Sequence, residues 1–250
     1  MNAMQRATIW AECPRFDEAT RAEARAARSD EDQLIRRFGR ELHFGTGGLR
    51  GVLGVGTDRM NPYTVARASE GLARYLCETG GTSVAISYDS RLCSRDFAGV
   101  TAGVLASHGL VCWLYNRLMP TPLLSYAVRA LDCDAGVMIT ASHNPAQYNG
   151  YKVYGADGCQ ITEEAAAAIT AEIESVEYPA LAWMGEPEAR ERNLLRDVPA
   201  SVLDDFLDRT LACRCFRVDA PLRVCYTPLN GTGREPVLAA FARMRGLTVI

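Results

Sequence analysis

Residues 135–145 of the chain read Ala-Gly-Val-Met-Ile-Thr-Ala-Ser-His-Asn-Pro. The first five form a short apolar run of the kind that makes a buried strand. The chain then changes to small and polar residues, and Pro145 keeps the residue before it out of helical conformation. The pattern predicts a strand followed by a loop that carries the hydroxyl of Ser142. Because reactive groups collect at the carboxyl ends of strands in α/β sheets, Ser142 is the first candidate for a reactive residue.

The chain contains a single lysine, Lys152, among 27 basic residues. It follows Ser142 by ten residues, at the end of the run Tyr148-Asn149-Gly150-Tyr151-Lys152. Arginine keeps its proton in proteins, whereas a lysine amine can release one when its surroundings favour the neutral form. We interpret Lys152 as a proton-transfer residue. The alternative is that one lysine has survived by chance in a sequence that otherwise uses arginine.

Predicted strands and helices alternate on both sides of this stretch. Asn61 and Pro62 predict the cap and first position of a helix that ends at Gly80. Further strands are predicted at 83–87, at 110–115, at 222–226 and from 247 onward, and residues 151–154 form an alternating segment. Further helices are predicted at 94–108, from 121 to about 130, at 163–175, at 201–213 and in a last segment that ends at 244. This order is typical of βα units around a largely parallel, mixed sheet, which is an α/β fold.

The two ends of the chain differ from this pattern. Residues 1–40 predict helices, one of them capped by Ser29, that form a surface arm or a packing element. Residues 178–196 lack clear periodicity and predict a surface connection. One βαβ unit cannot bury both faces of its sheet, so we predict a first domain at 1–199 and the incomplete start of a second, similar domain at 200–250.

Composition excludes several function classes. Hydrophobic residues make up 48% and charged residues 23%, as in ordinary globular proteins, and the net charge of -3 gives no attraction to nucleic acid or to an acidic membrane surface. No apolar run is long enough to span a bilayer. The nine cysteines are scattered and odd in number, without a secretory signal. They predict a reduced, cytoplasmic protein.

A glycine-rich segment, Gly45-Thr46-Gly47-Gly48-Leu49-Arg50-Gly51, is a candidate phosphate loop. Glycines let the backbone approach a ligand closely, and an arginine can bind phosphate oxygens with two parallel hydrogen bonds. The segment lacks the Gly-Lys-Ser/Thr ending of a P-loop and the spacing of dinucleotide sites. On its own, a flexible turn explains it equally well. Two interpretations are also equally good for Asp89 and Arg91, which follow a predicted strand: they are either site residues or a local ion pair.

Together, three motifs in this order resemble the α-D-phosphohexomutase superfamily (phosphoglucomutase/phosphomannomutase), in particular its phosphoglucomutase and phosphopentomutase-like branch. The motifs are the glycine-rich segment, the run from Thr140 to Lys152, and Thr227-Pro228-Leu229-Asn230-Gly231-Thr232-Gly233. The resemblance spans about residues 40–250 and implies a phosphosugar mutase. Such an enzyme moves a phosphoryl group between the C1 and C6 (or C5) hydroxyls of an aldose phosphate through an enzyme phosphoserine and a bisphosphate.

The resemblance also implies a set of site residues. Ser142 carries the phosphoryl group, and its phosphate helps to bind Mg²⁺. The residues implied around this phosphate are Arg50, His143 and Lys152 as catalytic residues and Thr46, Gly47, Gly48 and Asn144 as further phosphate-binding residues. Glucose 1,6-bisphosphate is the implied activator and intermediate. The family's aspartate-rich metal loop and its later domains do not occur in the sequence, so further C-terminal domains are expected in a full-length protein.

Three alternatives remain open from the sequence. The sugar could be glucose, mannose or a pentose phosphate. The chain could be a non-catalytic phosphosugar-binding or regulatory fragment, because the metal loop is absent. A serine hydrolase is a weaker alternative, because Ser142 lacks the Gly-x-Ser-x-Gly elbow.

Overall fold

The structure, a computed structural model, describes residues 1–215 and 221–250. A six-stranded sheet forms its centre, with the spatial order β1 (Leu49–Val52), β5 (Tyr148–Gly155), β4 (Ala135–Ile139), β2 (Ser83–Tyr88), β3 (Val111–Leu114) and β6 (Leu195–Asp197). The last four strands are parallel to one another, whereas β5 is antiparallel to both β4 and β1. The predicted α/β class with a largely parallel, mixed sheet is therefore confirmed.

Helices cover both faces of this sheet. One face carries α4 (Pro62–Thr79), α5 (Ser94–Ser107) and α7 (Glu163–Ser175), and the other carries α6 (Thr121–Ala130) and α9 (Ala200–Ala212). Successive strand residues enter opposite layers: Val137 packs with the first set of helices and Met138 with the second. A parallel strand buried on both faces needs a continuous apolar run, which is why residues 135–139 are all apolar and all buried.

The helix ends follow the local sequence signals. Asn61 caps α4 by accepting hydrogen bonds from the Tyr63 and Thr64 amides, and Pro62 takes the first helical position. Gly80 ends α4 in the left-handed conformation, at φ 82°. Thr162 caps α7 as predicted. None of the helices in the described ranges combines the length and apolar character needed to cross a bilayer.

The N-terminal residues form a packing element built from α1 (Ala3–Glu12), α2 (Glu18–Arg28) and α3 (Glu31–Phe38). Trp10 is fully buried and stacks on Phe16 with ring centroids 4.7 Å apart, and it meets Tyr178 edge-on at 5.1 Å. The prediction that Ser29 caps a helix is wrong. Ser29 ends α2, and Asp30 caps α3 by accepting from the Gln33 amide, because the chain is still completing α2 at Ser29.

The prediction that residues 178–196 form only a surface connection is wrong in part. This segment contains a 3₁₀ turn at Tyr178–Ala180 and α8 (Glu186–Glu191), and it leads into β6, which pairs in parallel with β3. β6 has three residues and buries only the first of them. An edge strand this short shows no alternation of apolar and polar residues, so its sequence carries no strand signal.

The last described segment contains β7 (Leu222–Val224), α10 (Arg234–Ala242) and β8 (Leu247–Val249). β7 and β8 form a separate two-stranded parallel sheet. An ion pair between Arg243 and Asp208, 2.7 Å long, joins the end of α10 to α9. The division into domains at 199 and 200 stays a prediction.

Candidate active site

Ser142 lies on an exposed loop three residues beyond the end of β4. Its backbone has φ of 54°, in the left-handed region that non-glycine residues rarely adopt. Holding a residue there costs about 1–3 kcal/mol, so the surrounding structure must stabilise it. The loop therefore presents the Ser142 side chain in one enforced backbone conformation.

Asp89 and Thr140 hold the amide side of Ser142. The Ser142 N–H donates to Thr140 Oγ1 at 2.9 Å, and Thr140 Oγ1 donates to Asp89 Oδ2 at 2.5 Å. Asp89 follows β2, and its other oxygen accepts from Ser94 Oγ at 2.8 Å. Because β2 and β4 are neighbours in the sheet, the carboxylate at the end of one strand fixes the loop at the end of the other.

Arg91 holds the carbonyl side of the same loop. Its guanidinium donates to four backbone carbonyls: to Ser142 at 2.6 Å, Asn144 at 2.6 Å, Pro145 at 3.0 Å and Tyr148 at 3.1 Å. Its Nε also lies 3.4 Å from Asp89 Oδ2, which makes the ion pair that the sequence allowed. Asp89 and Arg91 are therefore an ion pair and also part of the site, because both side chains hold the Ser142 loop. Thr140 was missed as a loop-positioning residue, and only its place beside Ser142 could have indicated it.

Arg50 and Lys152 project from neighbouring strands onto one face of the sheet. Arg50 lies opposite Gly150 in the β1–β5 pair, and Lys152 is two residues further along β5, so their side chains share a face. The glycine-rich segment is held against Lys152 by Gly48, which has φ of 74°. A β-carbon on Gly48 would stand 1.8 Å from the carbonyl oxygen of Tyr151, so only glycine fits at this contact.

Two cavities meet at Ser142. We call the first the cationic cavity; it has a volume of about 440 Å³ and is lined by His43, Gly47, Gly48, Leu49, Arg50, Thr140, Ala141, Ser142, Lys152 and Gln160. No carboxylate is among these lining residues, so its charged groups are all positive. We call the second the wide cavity; it has about 780 Å³, and Ser142, His143, Asn144, Asp89 and Arg91 are among its lining residues. A positively charged cavity beside a serine hydroxyl suits a phosphate ester on that serine.

The sequence-predicted site residues divide between these cavities. Gly47, Gly48, Arg50 and Lys152 share the cationic cavity with Ser142, whereas His143 and Asn144 line the wide cavity. The His143 ring is close to the serine, with Nδ1 3.5 Å from Ser142 Oγ, and Arg50 Nη1 lies 3.4 Å from Asn144 Oδ1. Thr46 lines a neighbouring cavity beside α7 and is not brought to Ser142.

The turn after β7 also reaches the site. Asn230, Gly231 and Thr232 form part of the wall of the wide cavity, and Ser90 Oγ donates to the Asn230 carbonyl at 2.7 Å. The sequence motif at residues 227–233 indicates the family resemblance but does not by itself predict a place in the site. Leu229 in the same turn has a left-handed backbone, at φ 50°, and its side chain is 83% exposed.

Within residues 1–215 and 221–250, no three His, Cys, Asp or Glu side chains come together in a way that could hold a metal ion. Asp89, the carboxylate nearest to the serine loop, is already hydrogen-bonded to Thr140 and Ser94. The described residues therefore do not fit a Mg²⁺ site by themselves.

A family model matches more than half of the chain. The model for phosphoglucomutase/phosphomannomutase, alpha/beta/alpha domain I, matches residues 41–180. This range contains the glycine-rich segment, the strands β1 to β5, the Ser142 loop and Lys152.

Curated relatives and solved structures agree with this match. A phosphoglucomutase of Staphylococcus epidermidis is 40% identical over 192 residues, which are 76% of this chain and 35% of the relative. A phosphoglucomutase of Staphylococcus aureus is 39% identical over 197 residues, which are 78% of this chain and 35% of the relative. The chain thus spans 35% of the length of these two relatives.

Among solved structures, a Thermus thermophilus protein provisionally assigned as a phosphomannomutase has a TM-score of 0.66 at 29% identity, over 84% of this chain and 46% of its own. A phosphoglucomutase/phosphomannomutase family protein of Burkholderia thailandensis has a TM-score of 0.63 over 83% of this chain and 43% of its own. At 20% identity, the second is a likeness of fold alone.

Proposed function

The chain belongs to the phosphoglucomutase/phosphomannomutase family, and we propose that it supplies the phosphoserine of a phosphosugar mutase, with Ser142 as the residue that carries the phosphoryl group. The observation that carries this proposal is the Ser142 loop, held in a strained conformation beside a cavity whose charged groups are all positive. Arg50 and Lys152 share that cavity with the serine. A phosphate ester on Ser142 would have these two positively charged side chains beside it.

The reaction transfers one phosphoryl group in each of two steps. In the first, the bond between phosphorus and Ser142 Oγ breaks and a bond to a sugar hydroxyl oxygen forms, which gives a sugar bisphosphate and a free serine. The proton of the sugar hydroxyl leaves to a base, and Ser142 Oγ takes up a proton. In the second step Ser142 Oγ gives up its proton and bonds to the other phosphorus of the bisphosphate, the bond from that phosphorus to the sugar oxygen breaks, and this sugar oxygen regains a proton.

Lys152 and His143 are the two candidates for these proton transfers. Lys152 lies in the cationic cavity, and the His143 ring is 3.5 Å from Ser142 Oγ. Arg50 would neutralise the charge on the transferred phosphoryl group, since its planar guanidinium suits phosphate oxygens. We assign phosphate binding to the amide groups of Gly47 and Gly48 and to the side chain of Asn144. Thr46 is a weaker candidate for this role, because it lines the neighbouring cavity.

The substrate proposal is an aldose phosphate, most simply glucose phosphate. Relatives named phosphoglucomutase at 39–40% identity and the Gly-Gly-Leu-Arg form of the glycine-rich segment support glucose over mannose or a pentose. Glucose 1,6-bisphosphate is the corresponding activator. Mg²⁺ would offset charge on the transferred group, and the phosphate on Ser142 would be its one ligand from this chain. We further propose that the protein is cytoplasmic, as its free cysteines suggest.

Phosphosite mapping tests the proposal. The protein is incubated with glucose 1,6-bisphosphate and digested, and the modified residue is identified by mass spectrometry. We expect the phosphate on Ser142, no phosphate in Ser142→Ala, and normal phosphorylation in Ser175→Ala, whose exposed hydroxyl lies on α7. Phosphate on another residue in both variants would refute the assignment. A second candidate function, binding of phosphosugars without turnover, is favoured if the sugar phosphate binds to the protein without labelling Ser142.

A further inference from the structure

The ring of His43 lies at the base of the glycine-rich segment and lines the cationic cavity together with Ser142, Arg50 and Lys152. Its Nε2 is 3.5 Å from the point where a β-carbon on Gly45 would stand, so the ring rests against the glycine backbone. The next residue, Phe44, is buried in the core, which fixes this end of the segment. His43 is thus held beside the cationic cavity although its side chain is exposed.

No described residue makes a hydrogen bond or an ion pair with the His43 ring. This contrasts with His108, whose ring is bound to Glu70 at 2.8 Å. His43 also lines the neighbouring cavity, which contains Glu163 and Glu174 of α7. The charged groups that share a cavity with His43 are therefore Arg50 and Lys152 on one side and these two carboxylates on the other. Neither carboxylate lies within the 4 Å of the His43 ring that an ion pair requires.

We propose that His43 is a further phosphate-binding residue of the cationic cavity, and this rests on the proposed function of Ser142. Arg50 stays positively charged under all ordinary conditions, whereas a histidine gains its charge readily near neutral pH. A doubly negative phosphate ester on Ser142 or on the incoming sugar favours the imidazolium form, which then donates a charge-assisted hydrogen bond to it. His43 therefore contributes more positive charge to the cavity while a phosphate is bound than when the cavity is empty.

The chain contains three histidines, so their ring signals can be separated and assigned by NMR. The test compares Ser142→Glu with Ser142→Gln, which differ in charge and hardly in size. The measured quantity is the imidazolium fraction of each ring at pH 7, read from its ¹⁵N chemical shifts. His143 adjoins the substituted residue and serves as the positive control. His108, which is paired with Glu70 and lines neither of the two cavities at Ser142, serves as the negative control.

We expect the imidazolium fraction of His43 to be about two- to threefold higher in Ser142→Glu than in Ser142→Gln, with His108 unchanged. A change at His143 alone would overturn the inference about His43 and leave the phosphoserine proposal intact. No change at either ring would count against both. Repeating the comparison in a Glu163→Gln background shows whether α7 affects the ring, and loss of the difference there would also overturn the inference.

Inorganic phosphate provides a second measurement that does not depend on substituting Ser142. Added to the 250-residue chain, it should shift the His43 signals along a saturable curve. In His43→Gln, the affinity for phosphate, followed at the His143 signals, should fall about tenfold, as expected for the loss of one hydrogen bond between charged groups. Equal affinity in the two proteins would overturn the inference.

Discussion

Replacing Arg91 by lysine keeps the positive charge and removes the forked geometry that reaches four carbonyls of the Ser142 loop. A lysine has a single nitrogen, and the four carbonyls are distributed over residues from Ser142 to Tyr148. We expect the ammonium group to keep about two of the four hydrogen bonds. The substitution therefore loosens the loop without removing charge from the cleft.

The expected effect of Arg91→Lys on the rate follows from two opposing free energies, the hydrogen bonds to the loop and the strain at Ser142. Each lost hydrogen bond costs about 0.5–1.5 kcal/mol, because the freed carbonyl at this exposed loop can bind water instead. Two lost bonds remove about 1–3 kcal/mol, which is the same size as the ~1–3 kcal/mol needed to keep Ser142 in the left-handed region. With that stabilisation gone, the loop populates other conformations, and phosphoryl transfer at Ser142 should slow by about 10- to 100-fold.

Two assays test this reasoning. Amide hydrogen exchange should accelerate at residues 142–148 in Arg91→Lys and stay unchanged in α4 and α5. Phosphoryl transfer from glucose 1,6-bisphosphate to Ser142 should show the rate loss. The control is Arg95→Lys, because Arg95 makes a bidentate pair with Glu186, at 2.6 and 2.9 Å, and does not touch the loop. If the loop of a folded Arg91→Lys protein exchanged at the wild-type rate, Arg91 would not be what holds Ser142.

Three further predictions concern other residues. Lys152→Arg keeps the charge but cannot release a proton, so mutase turnover in the full-length protein should fall by about 10²-fold with an unchanged melting temperature; near-normal turnover would show that charge alone is needed. The hydrogen bond from His108, aided by Arg74, holds the pKa of Glu70 below its ordinary value. Since the folded-state pKa is the lower one, Glu70 stabilises the fold fully above the unfolded-state pKa of about 4.3, and this stabilisation is lost as the pH falls through the folded-state pKa. In urea unfolding, Glu70→Gln should therefore lower the free energy of unfolding by about 0.5–1 kcal/mol at pH 6 and by almost nothing at pH 3, whereas a deficit independent of pH would contradict the assignment. Finally, the isolated 250-residue chain should show no phosphoglucomutase turnover above its Ser142→Ala control in a coupled assay, since its described residues do not fit a metal site; measurable turnover would reverse that expectation.

The sequence predicts well those elements whose signals are local. Asn61 and Pro62 mark the start of α4, Gly80 marks its end, and the apolar run 135–139 marks β4. In each case the side chain or backbone that forms the element lies within a few residues of the signal. For the same reason, the loop that presents Ser142 could be predicted from the change of composition after Ile139 and from Pro145.

The contacts that hold this loop could not be predicted, because they join distant parts of the chain. Arg91 binds carbonyls that lie more than fifty residues further along, and any arginine at the end of a strand would look the same in the sequence. The strand β6 was missed for a different reason. It has three residues and only one of them is buried, so no pattern separates it from a surface connection.

Strand order explains why these distant residues meet. The chain passes from β2 to β3 on one side and then crosses back to place β4 on the other side of β2, so the strand order reverses at the β2–β4 pair. In α/β sheets such a reversal opens a crevice at the carboxyl ends of the two strands, because their connections leave in opposite directions. Asp89 and Arg91 follow β2, and the Ser142 loop follows β4, so the topology alone brings the strained serine and its two anchoring side chains to the same crevice. Once the order of the strands is known, the place of the site follows from positions that the sequence already marks as strand ends.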